Sequence, residues 1–118
     1  SGVSAFARQT ADEFVVLEGS TVRRHETPTL GNSYRKARAQ LIEDGVLSES
    51  SDTGYWKLTQ NVPFTSPSTA DSVVCGATLN GRIHWMVQGS KQTYAQWQEL
   101  QLGSATGGQV EKAGLVAQ

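Results

Sequence analysis

PFTSPSTADSVVCGATLNGRIHW, running from Pro63 to Trp85, is the most tightly specified stretch of this chain. Ser66 can cap a helix, and Pro67 suits its first turn, where the N–H that proline lacks would have no partner anyway. Gly76 can end that helix in the left-handed conformation, and Asn80-Gly81 has the chemistry of a tight turn into a strand that carries Trp85. Ala70, Val73, Val74 and Ala77 recur at i, i+3, i+4 and i+7, which predicts one buried face. Asp71 falls early in this helix, where the macrodipole favours an anion. Cys75 reads as a small apolar filler with no base to activate it. In the strand, Ile83, Trp85 and Val87 should point one way and Arg82, His84, Met86 and Gln88 the other, leaving His84 exposed or hydrogen-bonded.

Working outward, residues 3–9 alternate weakly, with Val3, Ala5 and Ala7 on one side. Phe14-Val15-Val16-Leu17 is an apolar run expected to form a central strand buried on both faces, joined to the first by a hairpin connection through Thr10–Glu13. Thr27–Asn32, with Pro28 and Gly31, reads as a loop. Asn32 or Ser33 should cap a helix from Tyr34 to Asp44 that Gly45 stops, with Tyr34, Ala37 and Leu41 as its buried stripe. A short strand at Val46-Leu47, a turn-rich loop over 48–54 and a half-buried strand over Tyr55–Thr59 follow, and Gln60–Pro63 should break the pattern. Thr93 can cap a last helix from Tyr94 to Leu102, with Tyr94 and Trp97 at helical spacing. Residues 103–118 are Gly-rich and read as a disordered tail. The expected architecture is therefore a single α+β domain over 3–102: a small, mainly antiparallel sheet of about five strands, two principal helices on one face, and a short C-terminal helix.

The bulk properties narrow the functional classes. At 118 residues the chain holds one domain. Its net charge of −1 gives no global drive toward nucleic acid, so any such binding must come from a local patch. The single cysteine excludes an intramolecular disulfide and a cysteine-cluster zinc site. No apolar run approaches the roughly 20 residues needed to span a bilayer, and the chain carries no signal-peptide pattern; the cytoplasm is the expected location, with no membrane partner. A start at Ser1-Gly2 with no Met suggests a piece of a longer protein.

No phosphate-binding Gly-Lys loop, HExxH, GxSxG or calcium-loop pattern is present in the sequence, so neither a catalytic residue nor a cofactor is expected. A metal role for His84 is not expected either, since His25 is the only other histidine. What the chain does offer is local basic charge. Arg23 and Arg24 adjoin at the end of an expected strand, Arg35, Lys36 and Arg38 cluster near the start of a helix, and Arg82 and His84 follow the later turn. The three helix cations sit where the macrodipole disfavours them, which suggests anion contact. Ser66 and Ser68 are backbone caps first, with a helix N-terminus beside them that could face an anion.

The spacing Phe64, Ser66, Pro67, Ser68, Ala70, then Val73, Val74, Gly76, then Asn80, Gly81 and Trp85 resembles a bacterial domain-of-unknown-function family, DUF4357. Phe14–Ser20 is similar to that family's F-V-V-L-x-G-S segment, and Arg38 with Leu41–Leu47 to its R-x-x-L-I-x-x-G-V-L segment. One departure is Glu13, where the family more often has Gly before the Phe. The resemblance covers about residues 5–100. It implies a C-terminal module of larger proteins, often behind GIY-YIG nuclease domains. A weaker likeness, in Ser-Pro-Ser-x-Ala and Asn-Gly-x-x-x-Trp, is to a domain of restriction and adenine-methylase systems proposed to recognise modified DNA. The function this implies is a non-catalytic accessory module, not an enzyme, that binds DNA and positions the catalytic domain of its parent. Arg23, Arg24, Arg35, Lys36, Arg38 and Arg82 would contact phosphates. The alternative is a protein-interaction or oligomerisation domain using aromatics such as Tyr55 or Trp97.

Overall fold

Strand β1 (Phe6–Gln9) and strand β2 (Phe14–Val16) pair antiparallel, with Arg8 opposite Val15 and Gln9 opposite Phe14. The computed structural model describes residues 3–103 and 114–117. The hairpin closes as expected through Thr10, whose backbone N–H donates to Glu13 O at 2.9 Å while its Oγ1 accepts from Glu13 N at 3.0 Å. Among the described residues no non-glycine has a positive φ, so the turn accepts Glu13 without strain. Alternation sets the two faces: Ala5, Ala7, Phe14 and Val16 are buried, whereas Phe6, Arg8 and Val15 face outward. Val15 is only half-buried, so β2 is central by its pairing but is not covered on both faces.

Two sheets form where one was expected. The larger joins β1 and β2 to β6 (Val62–Phe64), β7 (Trp85–Val87) and β8 (Gly114–Ala117) in the order β6-β2-β1-β8-β7, antiparallel throughout. The smaller joins β3 (Thr21–Arg23), β4 (Leu47–Glu49) and β5 (Tyr55–Leu58) in the order β3-β5-β4, also antiparallel. Gly19, at φ +89°, lets the chain leave β2 and enter β3. Hydrogen bonds from Gly19 N to Leu58 O and from Leu58 N to Ser20 O, both 2.9 Å, stitch the transition. Two expectations change here. Val62–Phe64 is a strand and not a break; Pro63 is tolerated because β6 is an edge, where its missing N–H costs no ladder bond. Gly114–Ala117 pairs with both β1 and β7, so this end of the expected tail completes the sheet; residues 104–113 and 118 of that tail lie outside the described residues.

Helices α1 (Asn32–Glu43), α2 (Pro67–Cys75), α3 (Gly81–His84) and α4 (Tyr94–Gly103) complete the α+β architecture. Helix α2 is built as its sequence predicts. Ser66 accepts from Thr69 N at 3.1 Å, Pro67 opens the first turn, and Gly76 closes it at φ +70°. It is nonetheless buried nearly all round, packed among β2, β3, β6, α1 and α3. Asp71 therefore sits mid-helix and fully buried, away from the first turn. Helix α1 has Gly31 as its N-cap, with no side-chain cap, and its one fully buried residue is Arg38; Tyr34, Ala37 and Leu41 are half-buried. Helix α4 starts with a reciprocal box in which Thr93 Oγ1 accepts from Gln96 N and Gln96 Oε1 accepts from Thr93 N.

Asn80-Gly81 does not turn directly into a strand. Asn80 caps the single turn of α3, accepting from Arg82 N at 3.0 Å, and the strand begins only at Trp85. Ile83 is consequently 64% exposed and does not share a buried face with Trp85. Trp85 and Phe14 link α2 to α4 on the inner face of the large sheet. There fully buried Trp85 packs edge-on against Phe14 at 5.0 Å, Phe14 against Tyr94 at 5.8 Å, and the indole Nε1 donates to Pro67 O at 3.0 Å. The start of α3 lies directly against that of α2. Gly81 N donates to Ser68 Oγ at 2.9 Å, and a Cβ on Gly81 would fall 2.1 Å from Pro67 O. Gly81→Ala should therefore cost about 1–3 kcal/mol or more in urea unfolding. Gly54→Ala, at an exposed position of ordinary φ, should stay within about 0.5 kcal/mol. Equal effects would mean that the contact between the two helix starts is not what requires glycine.

Candidate functional site: the small sheet and the sorted cations

The six cations singled out in the sequence separate into different environments. Arg38 is 1% exposed. Its Nε donates to Glu26 Oε2 at 2.8 Å, its Nη1 to Val73 O at 2.5 Å, and its Nη2 to the carbonyls of Arg23 and Arg24. Arg35 donates to the other oxygen of Glu26 at 2.6 Å and to Leu30 O at 3.2 Å. These two arginines join the loop that carries Glu26 to the helix pair, so the expectation that Arg38 contacts phosphate is corrected: its guanidinium is consumed inside the protein. Lys36 is exposed on α1, and Arg82 is exposed on α3 beside α2, α4 and β7. No single face gathers the six.

Arg23 and Arg24 stay at the surface, and strand pairing brings them to new company. In the β3–β5 register Arg23 stands opposite Tyr55, Val22 opposite Trp56, and Thr21 opposite Lys57. Pleating places Arg23, Tyr55 and Lys57 on one side of this small sheet, with Arg24 and Trp56 on the other. The Arg24 guanidinium lies 3.8 Å from the Trp56 ring centroid, donates from Nε to Tyr55 O at 3.1 Å, and reaches exposed Glu49 at 3.3 Å. Lys57 is exposed, and Arg23, Arg24, Tyr55 and Trp56 are half-buried. Each face of the small sheet thus sets a cation beside an aromatic ring, Arg23 by Tyr55 and Arg24 over Trp56, a pattern invisible along the chain because 31 residues separate Arg24 from Tyr55. Trp97, the other aromatic expected at the surface, is buried against Tyr94.

A second cluster was not foreseen as one. Asp71 on α2, Cys75 one turn later and His84 at the end of α3 converge. His84 Nδ1 lies 2.6 and 2.7 Å from the two carboxylate oxygens of Asp71, and Cys75 Sγ lies 3.4 Å from one of them. One donor atom from each residue falls within 4.8 Å of the others, so the three could share an ion. Burial raises the Asp71 carboxyl above its ordinary range, and the His84 imidazole, by hydrogen bond and charge, pulls it back in part. Burial, followed by the adjacent Asp71 charge, pushes the Cys75 thiol up to about 12. The only sequence signal was the i, i+4 spacing of Asp71 and Cys75; His84 arrives because its segment is a helical turn.

The chain belongs to DUF4357, a family described as a domain of unknown function, whose family model matches residues 1–98. No curated protein and no solved structure matches it. Among the described residues, no helix is long and apolar enough to cross a membrane.

Two outcomes follow from this geometry. Arg38→Ala leaves Glu26 and three carbonyls short of a buried donor and should cost about 3–5 kcal/mol in urea unfolding. Arg38→Lys should not restore it, because an ammonium cannot serve a planar fork of acceptors. For Cys75, iodoacetamide at mildly alkaline pH should label the native protein slowly and the urea-unfolded protein fast; labelling at equal rates would refute the burial and the raised pKa together.

Proposed function

We propose that this domain is a non-catalytic accessory module that contacts nucleic acid through its small sheet and thereby positions a nuclease or DNA-modification domain of its parent protein in the bacterial cytoplasm. The observation that carries this reading is the β3–β5 pairing, which sets Arg23 and Lys57 with Tyr55 on one face of the small sheet and leaves Arg24 over Trp56 at the end of the other. Cations satisfy phosphates, aromatic faces stack on bases, and antiparallel strands hold both at a spacing that suits a single strand or a frayed duplex end. The Arg24–Glu49 pair does not oppose this. It is a surface bridge worth at most about 1 kcal/mol and can be exchanged for a phosphate. With a net charge of −1, affinity depends on this patch and falls with salt.

Fluorescence anisotropy of labelled single-stranded and duplex DNA over a salt series tests the reading. Arg24→Gln with Lys57→Gln should flatten the log–log salt slope for single strands by about 1.4. Tyr55→Ala should cost about 1–3 kcal/mol of affinity. Arg35→Ala, which removes contacts to Glu26 and Leu30 outside the small sheet, should leave the slope unchanged. Absence of binding to either form at low salt would end the proposal.

One observation favours a second reading, docking onto the catalytic domain of the parent. The outer face of the large sheet carries Phe6, 38% exposed, with Val15, Pro63 and Met86 around it, and among the described residues no helix covers that face. Phe6→Glu should then abolish association with the parent's catalytic domain in size-exclusion chromatography while leaving DNA affinity intact.

A further inference from the structure

We propose that Asp71, Cys75 and His84 form a binding site for a zinc-class divalent cation, with one carboxylate oxygen, one thiolate and one imidazole nitrogen as ligands. Three observations converge on it. The donor atoms already lie within 4.8 Å of one another, so small rotations bring them into one coordination sphere. The ligands come from rigid elements: Asp71 and Cys75 face the same way one turn apart on α2, and α3 is held against α2 by the Gly81–Ser68 hydrogen bond. The site is also graded in exposure. Asp71 and Cys75 are buried, while the His84 side chain is 27% exposed and offers the route by which an ion and a fourth, water ligand arrive.

The donor set suits zinc, cobalt(II) or nickel(II) better than magnesium or calcium, which take oxygen ligands. Three protein ligands and one open position is the coordination of an accessible zinc site. On binding, the Cys75 thiol proton leaves to solvent and the S–metal bond replaces the S–H bond, while the His84 Nδ1–H that donates to the Asp71 carboxylate in the free protein gives up its proton, the ring going to its Nε2–H tautomer so that the Nδ1 lone pair takes the ion. One thiolate and one carboxylate then neutralise the 2+ charge, so no net charge is left in the interior.

The test uses the full chain, stripped of metal by chelator and kept reduced, titrated with cobalt(II). The expected result is one equivalent bound with a near-ultraviolet thiolate-to-cobalt charge-transfer band, displaced by zinc, together with a rise in unfolding temperature on zinc addition. Cys75→Ser should remove the band. His84→Gln, which keeps an amide N–H donor in place of the imidazole that faces buried Asp71, should weaken cobalt binding by more than the about 10–100-fold typical of changes outside the ligand shell. His25→Ala should change nothing. A wild-type chain with neither the band nor a zinc-dependent shift in unfolding temperature would overturn the proposal, as would a band that survives Cys75→Ser.

Discussion

The guanidinium of Arg38 is the contact on which the rest of the domain depends. A buried charge is costly unless it is paired and its donors are used. Here Glu26 supplies the counter-charge, and three backbone carbonyls supply the remaining acceptors. Each carbonyl lies where regular structure leaves an acceptor without its usual partner: Val73 in the last turn of α2, and Arg23 and Arg24 where β3 runs out. One planar side chain thus ties α1 to α2 and to the small sheet. The loop between β3 and α1 is fixed from its other side by the close approach of His25 O to Gly76, where a Cβ would fall 2.2 Å from that oxygen.

This constraint decides which basic residues remain available for binding. A cation-rich helix start looks like an anion site along the chain, because sequence shows charge but not burial. Folding buries Arg38 and pairs it and the more exposed Arg35 with one glutamate, and Glu26 lies on a loop whose path no local pattern predicts. The same folding step assembles Arg23 and Arg24 with Tyr55, Trp56 and Lys57, since β3 and β5 pair across an intervening helix and strand. Surface charge is a property of the pairing, and the net charge of the chain says little about it.

The short helix α3 shows a second way in which local and tertiary preferences divide. Asn80-Gly81 is as good a cap and close-approach pair as it is a hairpin turn. What selects the helical turn is the fit of Gly81 against Pro67 and the acceptance of its N–H by Ser68. That choice moves His84 from a strand face to a position beside Asp71, where its ring stabilises a carboxylate buried in the middle of a helix.

Much of the architecture was legible in residue types alone. Ser66, Pro67 and Gly76 bound α2, Thr93 opens α4, Gly45 ends α1, and the alternation of residues 3–16 sets the inner face of the large sheet. These features depend on φ preferences, caps and side-chain period, all of which act within a few residues. The division into two sheets, the pairing of Gly114–Ala117 between β1 and β7, the burial of Arg38 and the meeting of Asp71, Cys75 and His84 were decided only in three dimensions. Each depends on partners far apart in the chain, and what selects them is the satisfaction of buried charges and backbone acceptors, for which a linear pattern has no signal.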